Sequence, residues 1–426
     1  MKKNIKNFSF VFAEKIIRLV VLSAVFILIA RELGPDDFGI YSYIISFVSI
    51  FSSISLLGMN GILIREWGYR SKEANKIISA SLLLYLVASI FSGVAFVLLI
   101  YFGIVKYSTF FTYILSFKFI LDIGLIFRYF LEHRLMMRSV IMIDIGVLLS
   151  FSLVKIILIF LELITIDKLI ILMIFESLIA SVFFIFVGNK YLYEKFNFDF
   201  EIKEFIFLFK QSYPLLIASM AWVLYTRVDQ LMIGWMRSSE EVGYYSIAMR
   251  FVDISIFFTA AMVTVFFPVI LKKRLDSREE YIKIFDCLYQ INSLYFYVFI
   301  LFLFFFGKEL LNLIFSGKYD NSFDILIVLC GVGLFNGMAL ISGRFYIAEN
   351  MQKVTMYRHL IGLLLNVVMN FYLIHDYGAI GAAYSSLFSM AMANLFFDAF
   401  FKSTRIVFFQ KMKSLFMLSF FNLIRN

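Results

Sequence analysis

Apolar stretches of about 20 residues recur along the whole chain, and each is long enough to cross a lipid bilayer as a helix. Twelve can be read from the sequence, over residues 10–30, 39–64, 77–102, 109–130, 140–161, 167–189, 212–236, 242–270, 284–306, 323–347, 359–377 and 378–401. The turns between them are short, and all three prolines stand near predicted helix ends. Membrane-spanning strands would instead show alternating segments of about 10 residues. The pattern predicts an all-α integral membrane protein with twelve transmembrane helices.

The composition excludes a soluble protein. Apolar residues make up 62% of the chain and charged residues 16%, and a soluble fold of this length would leave large apolar patches in water. The two cysteines are isolated, the three histidines are scattered, and no nucleotide-binding loop of the GxxxxGK type occurs. The sequence therefore predicts no disulfide framework, catalytic residue, metal site, cofactor or nucleic-acid partner.

The basic residues predict the orientation of the helices. With the N-terminus placed in the cytoplasm, 25 Lys and Arg fall in cytoplasmic segments and 6 in the opposite loops. These six are Arg31, Lys106, Lys168, Arg237, Lys308 and Lys318. Because Lys and Arg concentrate on the cytoplasmic side of membrane proteins, this asymmetry supports twelve spans with both termini inside.

A short pattern occurs twice, 204 residues apart. Residues 36–47 read DDFGIYSYIISF and residues 240–251 read EEVGYYSIAMRF. The identical pairs are Gly39 and Gly243, Tyr41 and Tyr245, Ser42 and Ser246, and Phe47 and Phe251. The offset is close to half the chain, which indicates a duplication. Six helices per half predict two parallel six-helix lobes, related by an axis along the membrane normal.

The predicted organisation follows from this repeat. The first lobe takes residues 1–189, a cytoplasmic linker takes 190–211, and the second lobe takes 212–401. Residues 402–426 contain too short an apolar run for another span, with Lys411 and Lys413 before it. They are predicted to form an amphipathic segment on the cytoplasmic face.

Eight basic residues fall inside predicted spans rather than loops. They are Lys15, Arg18, Lys118, Arg128, Lys155, Arg227, Arg250 and Arg344. A charge at the bilayer centre costs roughly 2.5–3.5 kcal/mol even on lenient scales, so each needs a partner or a cavity. Three acids stand at helical spacing from a cation: Glu14 before Arg18, Asp122 after Lys118, and Asp253 after Arg250.

These internal charges allow two interpretations. Lys15, Arg128, Lys155 and Arg344 lie near predicted span ends, which favours structural ion pairs or side chains reaching the headgroups. Arg227 and Arg250 lie deeper, which favours a cavity. The carboxylates of Asp229 and Asp253 are also predicted near mid-membrane and are candidates for ion coupling.

Tyrosines cluster at the predicted outer ends of the repeat helices. They are Tyr41, Tyr43, Tyr225, Tyr244 and Tyr245. We interpret them as an interfacial aromatic belt, with stacking on sugars as the alternative.

Three segments resemble those of a known transporter family. They are ARELGPDDFGIYSYIISF (30–47), RVDQLMIGWMRSSEEVGYYSIAMRF (227–251) and YGAIGAAYSSLFS (377–389). They resemble the polysaccharide-transporter branch of the multidrug/oligosaccharidyl-lipid/polysaccharide exporter superfamily, and within it the Wzx-type O-antigen and capsule flippases. The resemblance implies two lobes around a central cavity. It also implies translocation of an undecaprenyl-pyrophosphate-linked oligosaccharide across the bacterial inner membrane, for O-antigen (lipopolysaccharide) or capsule assembly.

The resemblance also suggests roles and partners. Arg18, Lys118, Arg227 and Arg250 are the candidate substrate-binding residues, since a pyrophosphate requires cations. Asp229 and Asp253 are the candidate ion-coupling residues. A polysaccharide polymerase and a chain-length regulator are expected partners beside the lipid-linked oligosaccharide and the bilayer.

Three other functions remain open. A lipid II flippase would be expected to have one or two further C-terminal spans, which residues 402–426 do not convincingly supply. A cation-coupled multidrug or small-molecule antiporter of the same superfamily would be expected to have a dominant acidic pocket, whereas Lys and Arg predominate here. A membrane polysaccharide polymerase would need a long outer loop with catalytic residues, and the longest predicted outer loop is 307–322.

Overall fold

The computed structural model describes residues 2–70, 73–192 and 197–417, and every regular element in these ranges is helical. The first eight helices are α1 Lys2–Leu56, α2 Asn60–Tyr69, α3 Ala74–Tyr101, α4 Phe110–Ile114, α5 Phe117–Leu121, α6 Leu125–His133, α7 Met137–Phe160 and α8 Ile166–Lys190. The others are α9 Ile202–Met236, α10 Ser239–Asp276, α11 Arg278–Phe315, α12 Ser322–Ala348, α13 Gln352–Ala391, α14 Phe397–Phe400 and α15 Arg405–Leu415. The predicted all-α class is confirmed.

Nine helical stretches in the described ranges are long and apolar enough to cross a membrane. One of them, Lys353–Phe400, contains the eleventh predicted span and all but the last residue of the twelfth, and is broken at Gly378 (φ 64°). Helix α1 similarly contains the first predicted span and most of the second, and is broken at Gly34 (φ 76°). Glycine adopts this left-handed conformation without a steric penalty. With these two breaks the helices are compatible with twelve crossings.

The second predicted span, 39–64, is wrong at its C-terminal end. Helix α1 stops at Leu56, and Leu57 and Gly58 then turn the chain with positive φ angles. A Cβ atom on Gly58 would lie 2.9 Å from the Leu215 Cβ, so the turn packs tightly under α9. The chain then enters α2, whose buried Trp67 packs edge-on against Phe130. Hydropathy alone does not reveal such a turn, because apolar residues continue through it.

By its internal contacts the chain divides into two compact units. Unit 1 comprises Met1–Leu33 and Tyr43–Val223, and unit 2 comprises Gly34–Ser42 and Leu224–Asn426. This division falls within α9, not at the predicted linker 190–211. Residues 202–211 of that linker belong to α9, and 193–196 lie outside the described residues. The lobe boundaries at 189 and 212 remain predictions.

Unit 1 is held partly by polar contacts between its helices. Arg70, which follows α2, pairs with Glu66 at 2.9 Å and with Glu204 of α9 at 2.7 Å. The backbone N–H of Gly124 donates to the Ser181 hydroxyl at 3.0 Å, and a Cβ on Gly124 would lie 2.3 Å from the Ser181 Cα. These contacts fix the start of α9 and the middle of α8 within the unit.

In unit 2 the two copies of the repeat pattern contact each other. A Cβ on Gly39 would lie 1.7 Å from the Ser239 carbonyl oxygen, and a Cβ on Gly243 would lie 2.1 Å from the Pro35 carbonyl oxygen. Ser239 also donates its hydroxyl to the Asp36 carboxylate. Both glycines are therefore required for the close approach of the two backbones.

The C-terminal helix α15 is packed into unit 2, with Lys411 completely buried. Its ammonium group donates to Asp398 at 2.7 Å and to the Asn394 carbonyl at 2.6 Å. Asn394 lies in a π-helical turn, Met392–Phe396, and such turns leave backbone carbonyls available to other donors. Lys411 is thus held inside the protein because a buried carboxylate offers it a partner, and the cytoplasmic interfacial position of 402–426 remains a prediction. Residues 418–426 of the predicted interfacial segment lie outside the described residues.

Candidate functional site

Asp229 lies buried in α9 within a shell of neutral hydrogen-bond donors. Its Oδ1 atom accepts from the Asn370 amide at 2.7 Å, and its Oδ2 atom accepts from the hydroxyls of Ser386 and Tyr245, both at 2.5 Å. The Asn370 amide also donates to Asn366 Oδ1 at 3.2 Å. We call these five residues the Asp229 cage. All four other residues of the cage are neutral. The negative charge of the Asp229 carboxylate is therefore hydrogen-bonded but not neutralised by a cation of the cage.

Three helices build the cage. Asp229 comes from α9 and Tyr245 from α10, two residues after the tightly packed Gly243. Asn366 and Asn370 are four apart on α13 before its break at Gly378, and so share one helix face. Ser386 comes from α13 after that break. The cage therefore depends on the break in α13 as well as on the repeat contact.

The cage is rich in oxygen atoms that could hold a small cation. It offers the Asp229 carboxylate, the Asn366 and Asn370 amide oxygens, and two hydroxyls. The Oδ1 atom of Asn370 is buried and forms no hydrogen bond, which costs free energy unless a cation or proton donor satisfies it. These oxygen ligands suit a hard monovalent cation, and the carboxylate could alternatively bind a proton. Across the described ranges no group of three or more His, Cys, Asp or Glu side chains forms a metal site.

Arg227 and Arg250 are on the same helices as Asp229 and Tyr245, α9 and α10, but are not part of the cage. Both are half-buried, and Arg227 donates to Gln230 at 3.4 Å. No ion pair within 4 Å joins either arginine to Asp229 or Asp253 in the part of the chain that the structure describes. Asp253 is exposed and interacts electrostatically with both arginines over a longer distance. The helical spacing of Arg250 and Asp253 therefore does not produce a close ion pair.

The other two candidate substrate-binding residues, Arg18 and Lys118, lie in unit 1 and are both ion-paired. Arg18 pairs with Glu14 at 2.7 Å and approaches Asp144 at 3.6 Å. Lys118 pairs with Asp122 at 2.6 Å. Both partners predicted from the four-residue spacing are present, and each cation already has a compensating acid.

The structural interpretation also holds for two of the other internal cations. Arg128 pairs with Asp144 at 3.1 Å, and Lys155 pairs with Glu176 at 3.2 Å. Asp144 and Lys155 of α7 are thus both ion-paired within unit 1.

The structure brings four of the six candidate residues together on α9 and α10 of unit 2: Arg227, Asp229, Arg250 and Asp253. Sequence analysis missed the uncharged members of the cage. The two asparagines of the NVVMN segment, four apart in an apolar helix, were a usable signal. The aromatic-belt interpretation is wrong for four of the five tyrosines. Tyr41, Tyr43, Tyr225 and Tyr245 are buried inside the protein.

Two curated proteins are similar in sequence. The "Capsular polysaccharide biosynthesis protein CapF" of Staphylococcus aureus is 24% identical over 404 residues, which cover 93% of this chain and 99% of CapF. The "Probable low-salt glycan biosynthesis flippase Agl15" of Haloferax volcanii is 25% identical over 191 residues, which cover 43% of this chain and only 39% of Agl15.

Solved structures share the fold. The lipid II flippase MurJ in an inward closed conformation superposes with a TM-score of 0.75 at 17% identity, over 98% of this chain and 93% of MurJ. An inward-facing multidrug resistance transporter of the MATE family superposes with a TM-score of 0.71 at 11% identity, over 93% of this chain and 94% of the transporter. At these identities the likeness concerns the fold alone.

A family described as "Polysaccharide biosynthesis protein" matches residues 4–273. The match covers more than half of the chain and includes both copies of the repeat pattern. The chain is therefore a multi-pass membrane protein that belongs to this polysaccharide biosynthesis family.

Proposed function

We propose that the protein is a flippase that moves a lipid-linked oligosaccharide across the membrane for the assembly of a surface polysaccharide. One observation carries the proposal: the family match extends over residues 4–273, and so includes Arg227, Asp229, Arg250 and Asp253. The relatives named for capsule and glycan biosynthesis point to the same class of substrate. The protein acts in this proposal as a transporter and not as an enzyme.

The proposed substrate is an undecaprenyl-pyrophosphate-linked repeat unit, and the charges of unit 2 suit its headgroup. The planar guanidinium group matches phosphate oxygens in a two-pronged geometry. The Asp229 carboxylate accepts its hydrogen bonds from the cage. Arg227 therefore does not form an ion pair with Asp229, the acid nearest to it in sequence. Arg227 and Arg250 are the proposed headgroup ligands. Arg18 and Lys118 would contribute only by exchanging their acidic partners for phosphate.

The proposed coupling site is the Asp229 cage. A proton or a sodium ion that binds there would compensate a carboxylate that now has only neutral neighbours. Asp253 is the second candidate, because it lies near both proposed headgroup arginines. Cation binding at either carboxylate could then favour one state of the transport cycle over another.

In the proposed cellular setting, the protein lies in the bacterial inner membrane with both termini in the cytoplasm. It works there beside a polysaccharide polymerase and a chain-length regulator. The product is O-antigen or capsule.

The test is deletion of the gene followed by a sided assay of the lipid-linked sugars. Spheroplasts are treated with periodate, which oxidises sugar diols but does not cross the membrane. We expect lipid-linked repeat units to accumulate and to be protected from periodate, with loss of surface polysaccharide. Re-expression of the wild-type chain should reverse both effects.

Three other results would contradict the proposal. Accumulated units that periodate destroys would indicate a defect in polymerisation at the outer face. Altered drug sensitivity with normal polysaccharide would indicate a multidrug antiporter. Unchanged surface polysaccharide together with unchanged lipid-linked intermediates would exclude a role in this pathway.

A further inference from the structure

An aromatic pocket with mixed charges lies where α9 ends, within unit 2. It has a volume of about 480 Å³, and its walls include Trp235, Arg237, Phe371, Tyr372, His375 and Asp376. Trp235, Phe371 and Tyr372 are all more than half exposed, so most of the surface of each side chain is not covered by the protein. We call this site the outer pocket, because Arg237 belongs to a loop that the basic-residue asymmetry predicts outside the cell.

The pocket is pre-formed by polar contacts around the break in α13. Arg237 donates from Nε to the Ile374 carbonyl at 3.0 Å and from Nη2 to the His375 carbonyl at 2.9 Å. These carbonyls belong to the last turn before the break, where a helix leaves carbonyls without partners. On the other side of the break, the Glu241 carboxylate accepts from the Ala379 N–H at 2.6 Å. Both sides of the break are thus anchored to neighbouring helices.

The side chains of the pocket favour a neutral, hydroxylated ligand. A lipid tail would have to desolvate the Asp376 carboxylate and the His375 imidazole, which are 2.9 Å apart, without giving them hydrogen bonds. An anionic headgroup would meet the Asp376 carboxylate, while Arg237, the cation of the pocket, already donates to two backbone carbonyls. A sugar ring has an apolar C–H face that packs on aromatic rings and hydroxyls that bond to carboxylate and imidazole groups. The chemistry of the pocket therefore corresponds to that of a carbohydrate.

We propose that the outer pocket is a sugar-binding subsite that receives the oligosaccharide after its translocation. The inference rests on the proposed function and adds where the sugar part of the substrate binds. Occupancy of the pocket would hold the glycan at the outer face and slow its return through the protein. The Trp235 and Tyr372 rings provide the stacking surfaces, and Asp376 accepts hydrogen bonds from sugar hydroxyls.

The test measures sugar contact directly, with the full chain in lipid nanodiscs. The probe is the oligosaccharide released by mild acid from lipid-linked repeat units of the parent cells, and saturation-transfer NMR reports its contacts. Trp235→Ala and Tyr372→Ala should each weaken binding roughly 3- to 10-fold, the value of an aromatic contact. Trp235→Phe and Tyr372→Phe keep a ring and should lose less.

A matched control comes from unit 1. Tyr101 and Phe102, at the end of α3, are also exposed aromatic residues on the predicted outer side, and they are not part of the outer pocket. Tyr101→Ala and Phe102→Ala should leave sugar binding unchanged. An equal loss in pocket and control variants would overturn the proposal and identify the rings as a general interfacial belt.

Other outcomes would also overturn it. If the oligosaccharide gives no signal with the wild-type protein, the pocket is not a sugar site. If nanodiscs containing phosphatidylglycerol abolish the signal and neutral ones do not, the occupant is a lipid headgroup. Neither result would affect the flippase proposal, because the periodate assay tests that separately in cells.

Discussion

Two charged residues only two positions apart, Arg227 and Asp229, have different surroundings in the folded protein. Asp229 is enclosed by amide and hydroxyl groups of α10 and α13, whereas Arg227 contacts Gln230 on its own helix. Residues two apart point in different directions from a helix, so the pair cannot neutralise itself. This separation leaves a negative site at Asp229 and a positive site at Arg227, to which the proposed function assigns two different ligands.

The positive site predicts a specific response to substitution. Arg227→Ala and Arg250→Ala should each reduce the export of repeat units roughly 10- to 100-fold, because a charge-assisted hydrogen bond to phosphate is lost. Arg→Lys should restore part of the activity, since it returns the charge but not the two-pronged geometry. Periodate-accessible lipid-linked sugar, normalised to protein in the membrane, measures the effect.

A structural role for the arginines would give a different pattern. Removing the arginine would then lower protein abundance, and a second substitution of Asp229 or Asp253 to Asn would restore both abundance and export. Full export in the double variants Arg227→Ala with Asp229→Asn, or Arg250→Ala with Asp253→Asn, would refute the headgroup role.

The negative site predicts a dependence on cations. Asp229→Asn should weaken transport while leaving folded protein in the membrane, because the amide is isosteric but cannot compensate a cation. If the ligand is Na⁺, the melting temperature of the purified wild-type protein should rise when Na⁺ replaces a bulky organic cation. If the ligand is a proton, the melting temperature should instead change with pH. The variant should lose this shift.

Asp253→Asn serves as the comparison for this prediction. It tests whether the exposed carboxylate shares the coupling role. If both variants transport normally, or if dissipating the proton and Na⁺ gradients has no effect on the wild type, transport is driven by the substrate gradient alone.

Among the elements, the break points of the helices govern the site more than the helices themselves do. Apolar runs of about 20 residues predicted the spans because lipid requires them. The break at Gly34 falls between the first two predicted spans, and the break at Gly378 falls at the first residue of the twelfth. The turn at Leu57 and Gly58 could not be found this way, because it depends on a close contact with Leu215, far along the chain.

The same limit applies to the candidate site. Arg227 and Asp229 are visible in the sequence because a charge inside an apolar run is unusual. Asn366, Asn370 and Ser386 are neutral, and their meeting with Asp229 depends on how α13 continues after Gly378. Such three-dimensional coincidence leaves little trace in the hydropathy of a single sequence.

The close contact between the two copies of the repeat pattern predicts that adding a single methyl group there will strongly reduce stability. Gly39→Ala and Gly243→Ala should each lower the free energy of unfolding by about 1–3 kcal/mol or more, because a methyl group at either position overlaps a backbone carbonyl. Gly61→Ala in α2 is the control, since a methyl group there meets no heavy atom within 4 Å. Melting temperature and membrane abundance measure the difference. Equal behaviour of all three variants would contradict the packing described for unit 2.

The C-terminal helix predicts a second packing effect. Lys411→Met should strand the buried Asp398 carboxylate and destabilise the protein by about 3–5 kcal/mol. The double variant Lys411→Met with Asp398→Asn should recover much of this loss, because no buried charge then lacks a partner. Failure of the double variant to recover would show that the shape of the lysine, and not its charge, holds α15 in place.

The same lysine gives a pH dependence with a definite sign. Burial and the nearby positive charge of Arg358 lower the pKa of Lys411 to about 8, although Asp398 opposes the shift. The pKa of an unfolded lysine is about 10.4, so between these values the unfolded chain holds more protons than the folded one. Stability should therefore rise with pH across this window. The rise should be absent from the double variant at Lys411 and Asp398.

For the whole molecule, the distribution of basic residues predicts the orientation in the membrane. Lys72, Lys195 and Lys273 should be cytoplasmic, and Lys106, Lys168 and Lys318 should be outside; Lys72 and Lys195 lie outside the described residues. Single-cysteine substitutions at these positions, placed in a chain without Cys287 and Cys330, can be labelled in intact cells with an impermeant maleimide. Only the second set should react, and a reversed result at any loop would remove a pair of crossings.

The contact between the two copies of the repeat pattern has one further property, which concerns the duplication predicted from the sequence. Gly39 approaches Ser239 while Gly243 approaches Pro35, and an offset of 204 residues converts each contact into the other. This reciprocity is the defining property of an isologous interface, in which one kind of surface binds its own copy around a twofold axis. The duplication predicted from the sequence would supply both partners of such an interface at once, so the contact that supports the Asp229 cage would need only one kind of surface.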